Sequence, residues 1–440
     1  MTGLIGNIID WASLDAAGRR AALARPARRT ETQVTDGVRA IFDDVRERGG
    51  AAVTEWSLKL DGAAPRRIAI TDQVVADARS ALPPAATRAL KIAAENVRIF
   101  HQATRPEDSD WVETRPGVRS KIVWRPLESA GLYVPGGTAP LFSSLIMLAI
   151  PAQVAGVGRR VAVTPPSKDG EPHPAMIVAA AEAGLDALWL IGGTQAIAAL
   201  TFGATFDDGE IEPVAKLFGP GNTWVAEAKK QASALPGGPA VDMPAGPSEL
   251  LVIADRDADA VVAPADLLSQ AEHDPDAQVL LVSESRGLIE AVLAEVELQL
   301  ETLPRADIAR AALSNGRIIR VRDIAEACEV ANLYAPEHLA IQTLDADRWV
   351  ERITAAGAIF VGPNAAETFG DYAAGPSHVL PTDGAARTMG GVATASFMTS
   401  MSLQCVTAAG ATGLAPVAAQ LARMEGLEAH ARSADLRSGQ

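Results

Sequence analysis

The sequence predicts an α/β protein of two lobes built on parallel sheets, with a helical arm before them and a helical extension after. Three observations carry this. From about Lys121, short β-rich runs alternate with helical ones: RVAVTPP, PAMIVAAAEAGL, ALWLIGG, TQAIAALTFG. The alternation resumes at ELLVIAD and runs on to AIFVG. Strand–helix alternation argues for parallel strands covered on both faces, so each lobe is read as Rossmann-like. Finally, 440 residues are too many for one small core.

Composition narrows the function classes. Hydrophobic residues make up 48%, charged residues 21% and aromatics 4%, which is ordinary for a soluble globular chain. A net charge of -15 argues against nucleic acid and anionic membranes as partners. The best apolar run, LFSSLIMLAI, stops at Pro151, short of the roughly 20 residues that a spanning helix needs. The start, MTGLIGNIIDW, lacks the basic segment of a signal peptide. Two cysteines, Cys328 and Cys405, make neither a disulfide framework nor a thiolate zinc site. A reducing, cytoplasmic setting is expected, with any metal held by His, carboxylate and amide.

In chain order, residues 11–30 read as a helix ended by Pro26, and residues 1–30 as an arm. Its arginines (Arg19, Arg20, Arg25, Arg28, Arg29) suit a solvated face or a partner subunit. A second helix, TDGVRAIFDDVRERGG, has Thr35 or Asp36 placed as cap and Gly49-Gly50 as stop. The helix ALPPAATRALKIAAENVRIFHQAT follows, with His101 near its end. Residues 31–130 together with 245–385 are assigned to a first lobe carrying the chemistry. Residues 131–244 form a second lobe, with a boundary near Pro244–Ser248. After Pro381 strand signals fade, and residues 386–440 read as a loop followed by helices.

Candidate chemistry sits in a few segments. In SQAEHD, Gln270 and His273 are three apart on a helix and project side by side. An amide oxygen beside an imidazole suits a borderline metal, although His273 could equally offset the helix dipole. Three glycine clusters follow strands: GLYVPGG (Gly136, Gly137), LIGGTQA with a helix opening at Thr194, and KLFGPGNTW (Gly219, Gly221, Asn222). Such turns let backbone N–H groups approach a phosphate, but none is a GxGxxG fingerprint. APEHL sets Glu337 beside His338 at a loop or helix start. Adjacent bases of different pKa suit two successive proton transfers. GDYAAGPSH is a Gly/Pro-bounded loop with Asp371 and His378, and EGLEAH carries Glu425 and His430. His173 lies in a polar loop. Cys328 shares a helical face with Ile324 and Ala331 and reads as core, while Cys405 has no nearby His. A thiol nucleophile is therefore not favoured.

Taken in order, GLYVPGGTAPL, IGGTQAIAAL, FGPGNTWVAEAKKQ, DMPAGPSE, SQAEHD, APEHL, GDYAAGPSHVLPT and EGLEAHARS resemble the histidinol dehydrogenase family, from about residue 30 to His430. The resemblance implies oxidation of L-histidinol through the aldehyde to L-histidine with two NAD and one zinc per subunit. It implies zinc held by Gln270, His273, Asp371 and His430. Glu337 and His338 become the acid–base pair. His338 takes the alcohol proton and assists again in the second oxidation, while Glu337 activates water. Ser248, His378 and Glu425 line the substrate pocket, together with the metal ligands and His338. Tyr133, Gln195 and Asn222 contact NAD. The resemblance further implies a homodimer in which residues 386–440 complete the partner's site. One departure is Ser377, where the family usually has Asn before the histidine of HVLPT.

Other readings stay open on the residues alone. A related zinc- and NAD-dependent enzyme could take another small alcohol, such as a sulfonated diol. A zinc hydrolase would use Glu337 with water and bind no NAD. A structural metal protein would show no turnover.

Overall fold

A computed structural model describes residues 5–6, 8–26, 32–136, 140–243 and 246–438. Arg28, Arg29, Gly137 and Pro244 lie outside the described residues. The apolar runs ELLVIA and QVLLVS are buried at every position, as strands covered on both faces must be. They form β12 (Glu249–Ala254) and β13 (Gln278–Ser283) of a six-stranded, all-parallel sheet. Its other strands are β1 (Ile8–Asp10), β14 (Arg317–Arg320), β15 (His338–Gln342) and β16 (Ala358–Val361), in the order β1-β14-β13-β12-β15-β16.

A second six-stranded sheet runs β11-β10-β5-β6-β7-β2. It comprises β2 (Arg66–Ala69), β5 (Ser129–Tyr133), β6 (Arg159–Thr164), β7 (Ala187–Leu190), β10 (Lys216–Phe218) and β11 (Ala240–Val241). All pairings are parallel except β2 on β7. A short hairpin pairs β8 (Ala204–Phe206) with β9 (Gly209–Ile211). A three-stranded antiparallel sheet joins β3 (Val112–Arg115), β4 (Val118–Pro126) and β17 (Met398–Val406).

The two parallel α/β sheets match the sequence expectation, but several assignments are corrected. Residues 32–126 do not join the first sheet. β2 extends the edge of the second, and the helices Thr32–Arg48 and Pro84–Ala103 pack on its two cores. The reason is the apolar stripe Val34, Val38, Ile41, Phe42 and Val45, which meets Ala196–Leu200 of the second lobe. The first of these helices starts at Thr32, so Thr35 and Asp36 lie inside it. Gly49, at φ +58, ends it in a left-handed turn that favours glycine. Residues 8–26 are not a free helical arm either. β1 pairs with β14, a helix spans only Ala16–Ala22, and Trp11 and Leu23 pack into the first lobe's core. In the C-terminal extension β17 was missed. It is exposed at eight of its nine positions, so no buried face left a period-two pattern in MTSMSLQCV. The helices Ala408–Met424 and Glu428–Asp435 follow, packed on each other.

His101 is a core residue. Its side chain is fully buried, and Nδ1 donates to Thr394 Oγ1 (3.2 Å), whose hydroxyl donates to the His101 carbonyl (3.0 Å). This ties the helix Pro84–Ala103 to the segment leading into β17. Burial pushes the imidazole down to about 4. The folded protein therefore keeps His101 neutral where the unfolded chain, with an ordinary pKa near 6.5, binds a proton. Its stabilising effect is whole above pH 6.5 and is lost as pH falls toward 4. Urea unfolding should show a loss of about 2 kcal/mol from this group between pH 7.5 and pH 5. His101→Gln should be less stable than wild type near pH 7.5 yet lose less on acidification.

Candidate active site

The backbone of Glu249 organises the site. It opens β12 beside β15, in a register that pairs Leu250 with His338. The Glu249 N–H donates to Glu337 Oε2 (2.8 Å), and its carbonyl accepts from His338 Nδ1 (3.0 Å). A carbonyl only accepts, so Nδ1 carries the proton and Nε2 is left with a bare lone pair. That Nε2 is buried, has no hydrogen-bond partner, and lies 3.8 Å from Asp371 Oδ1. His338 thus begins a strand, where the sequence placed a loop or helix start. Ala335, in the left-handed region at φ +53, ends the preceding helix Ile324–Tyr334 and turns the chain into Pro336-Glu337-His338.

Arg25 holds this clamp from a distant part of the chain. Its Nε and Nη2 both bind the Glu249 carboxylate (2.8 Å for Nη2 to Oε2). Nη2 also donates to the Tyr334 carbonyl (3.0 Å), and the guanidinium lies 3.9 Å from the Tyr334 ring centre. Glu249 is fully buried, so the guanidinium is its counter-charge.

Acidic groups crowd His338. Glu337 Oε2 and Glu367 Oε1 each lie 3.6 Å from Nδ1. Burial, with smaller contributions from neighbouring carboxylates, holds Glu337 and Glu367 well above the usual carboxylate range. Asp371 is pushed up to about 7 by burial. Burial, helped by His378 and His273, lowers His338 to about 3. His378, lowered by burial to about 4, shares a hydrogen bond with Ser144 Oγ (3.0 Å), and its Nδ1 lies 3.9 Å from Asp371 Oδ1. Ser377 Oγ accepts from the Val379 N–H (3.2 Å), which stiffens the loop around His378. A cavity of about 590 Å³ opens here, lined by His338, Phe360, Phe369, Asp371, Pro376 and His378 among others.

The expected metal ligands meet in part. Gln270 lies in the last turn of the helix Val262–Ala271, and its Oε1 is buried with no partner. His273 follows, exposed just past that helix. Asp371 lies on a short helix, Glu367–Tyr372, not in a loop, and this helix packs against Val262–Ala271. His430 and Glu425 do not join them within one chain. Both are exposed at the C-terminal pair of helices. Among the described residues, the His, Cys, Asp and Glu side chains close enough to hold a metal are His338, Glu367 and Asp371, with donor atoms within 4.8 Å of one another. The orphaned buried amide oxygen of Gln270, the carboxylates of Glu367 and Asp371 and the bare Nε2 of His338 form a donor set that fits a divalent N/O-binding cation. Ser248 stands half-buried at the foot of β12, its carbonyl accepting from the Gln278 N–H (2.9 Å).

The expected cofactor contacts lie on the other lobe, at the C-terminal ends of its strands. Tyr133 ends β5, and its hydroxyl accepts from the Gly193 N–H (3.3 Å). Gln195 is fully buried, with Oε1 unpartnered. Asn222 caps the helix Thr223–Ala234, its Oδ1 accepting from the N–H groups of Trp224 and Val225. Cys328 is buried and its thiol is raised to about 11 by burial, as its helical face suggested. Glu249, Arg25, Glu367 and Ser144 were missed. Only Glu367 had a local signal, being four residues before Asp371 on one helical face.

Arg25→Ala should leave the Glu249 carboxylate buried without a counter-charge and cost about 3 kcal/mol by urea unfolding. Arg25→Lys, which keeps charge but not the two-pronged grip, should recover part of that. A wild-type midpoint in Arg25→Ala would show that the pair does not hold the clamp.

Comparison with known proteins follows the same lines. A family model described as histidinol dehydrogenase matches residues 24–438. Histidinol dehydrogenase of Xanthomonas euvesicatoria pv. vesicatoria is 46% identical over 433 residues, covering 98% of this chain and 99% of that protein. The enzyme of the same name from Pectobacterium atrosepticum is 42% identical over 436 residues, covering 99% and 97%. The crystal structure of histidinol dehydrogenase from Elizabethkingia anophelis superposes with a TM-score of 0.93 at 36% identity, covering 99% of this chain and 98% of that one. This chain belongs to the histidinol dehydrogenase family.

Proposed function

We propose that this chain oxidises L-histidinol through L-histidinal to L-histidine, reducing two NAD, as a zinc-dependent, cytoplasmic homodimer. The observation that carries the reading is the buried, bare Nε2 of His338, facing Asp371 in the lining of a cavity while Glu337 stands beside Nδ1 of the same ring. Bound NAD supplies the hydride acceptor, and a bound zinc ion would orient the nitrogen atoms of the substrate. Gln270, His273 and Asp371, with His430 of a second copy, are the residues we assign to that ion. Ser248, Glu425 and His378 are assigned to the substrate, and Tyr133, Gln195 and Asn222 to NAD.

The acid–base work falls to Glu337 and His338. His338 Nε2 takes the hydroxyl proton of the alcohol as the C–H hydride departs. The resulting imidazolium is met by the carboxylates of Asp371 and Glu367. Water then adds to the aldehyde, with Glu337 accepting its proton. A carboxylate raised by burial is a stronger base than a solvated one, which suits that step. His338 takes a proton again as the hydrate loses its second hydride. The sum is one alcohol, one water and two NAD going to one carboxylate, two NADH and three protons.

The exposed apolar side chains Leu421, Met424, Leu427 and Leu436 of the C-terminal helices support a second copy as their partner. Glu425 and His430 stand among them. In that arrangement the tail of one chain reaches the cavity of the other.

Zinc-loaded wild type should yield two NADH per L-histidinol consumed. Glu337→Gln should form histidine at least about a hundredfold more slowly while still oxidising histidinol and releasing the aldehyde, since only hydration is removed. Full two-electron arrest at the alcohol in that variant would reassign Glu337. No NADH from histidinol in wild type would overturn the substrate.

A further inference from the structure

Asp61 has no part in the chemistry above, yet it sits at the turn assigned to the cofactor. It follows the helix Gly50–Leu60 and reaches across to the start of the helix Gly193–Phe202. Its Oδ2 accepts from the Gly192 N–H (3.0 Å) and from Gln195 Nε2 (2.9 Å). The turn is built around this carboxylate. A Cβ at Gly192 would come within 2.8 Å of Asp61 Oδ1 and 2.7 Å of Pro165 Cβ, and Gly193 holds a φ of +55. Burial keeps the Asp61 carboxyl above its usual range.

Two consequences follow. The helix N-terminus already holds an internal anion, so a phosphate there would be repelled. The amide of Gln195 is also fixed in one sense. With Nε2 given to Asp61, its Oε1 is left as a fully buried acceptor without a partner. Among the described residues, Asp61 Oδ1 accepts no hydrogen bond either. An acceptor left open on Asp61, on the carboxylate that fixes Gln195, recognises a hydrogen-bond donor. The ribose of NAD carries hydroxyl donors, whereas the 2′-phosphate of NADP carries negative charge and no strong donor.

We infer that Asp61 is a positioning and specificity residue for the dinucleotide, holding Gln195 and admitting a ribose diol while rejecting a 2′-phosphate. The inference rests on the reading that this chain uses NAD. The carboxylate comes from a helix preceding the lobe's parallel strands, so it fills the role of a ribose-binding acid from a different part of the fold.

Calorimetric binding to the full-length protein tests this without turnover, using AMP and adenosine 2′,5′-bisphosphate as probes. Wild type should bind AMP at least tenfold more tightly. Asp61→Asn should narrow the ratio to about threefold or less, and Asp61→Glu, which keeps the charge, should retain it. The ratio of kcat/KM for NAD over NADP should move in parallel. Equal binding of the two probes by wild type would overturn the inference with no variant needed, as would an unchanged ratio in folded Asp61→Asn. NAD turnover by wild type alongside that unchanged ratio would sink only the role of Asp61. No adenylate binding and no NAD reduction by wild type would sink the NAD reading itself.

Discussion

One peptide unit on each side of Glu249 Cα fixes both proposed acid–base residues. Its N–H binds Glu337 and its carbonyl binds His338, so the relative position of the two side chains is set by main-chain geometry. The parallel register of β12 and β15 is therefore a functional constraint as well as a structural one. A slip of one residue would turn both groups to the wrong face. Arg25, from a segment more than two hundred residues away, holds the same residue by its side chain. The N-terminal segment thereby helps to hold the proposed site, and its strand β1 anchors it on the same sheet.

Around this clamp acidic groups predominate among the described residues. Glu337, Glu367 and Asp371 approach His338 in a space largely closed to water, and the Arg25 guanidinium already serves Glu249. Buried carboxylates without a cation take up protons, which is why all three are raised. A divalent ion would reverse that tendency and return them toward their ionised forms. The buried orphan oxygen of Gln270 points to the same conclusion, since such a group has lost water without gaining a partner. On the proposed reading the site is a preorganised shell that an ion and the tail of a second copy would complete.

Much of this was legible in the sequence where the signal was local. Gln270 and His273 stand three apart in one short motif, although the helix ends before His273, and Glu337 precedes His338 directly. The strand runs ELLVIA and QVLLVS declare burial on both faces. What escaped had non-local causes. Arg25 meets Glu249 only through the tertiary fold, and a run of arginines looks like any solvated face. Ser144 reaches His378 from a helix buried on all sides, with no motif to mark it. Residues 32–126 were placed with the wrong sheet because chain order says nothing about which edge accepts β2. β17 was invisible because a strand exposed along nearly its whole length has no hydrophobic alternation to read.

The measurement that bears most directly on this account is anomalous diffraction at the zinc edge from crystals of the zinc-loaded protein. The account predicts one site per chain, contacted by Gln270, His273 and Asp371 of one copy and by His430 of another. Zinc bound away from Asp371, or closed entirely by residues of one chain, would contradict it.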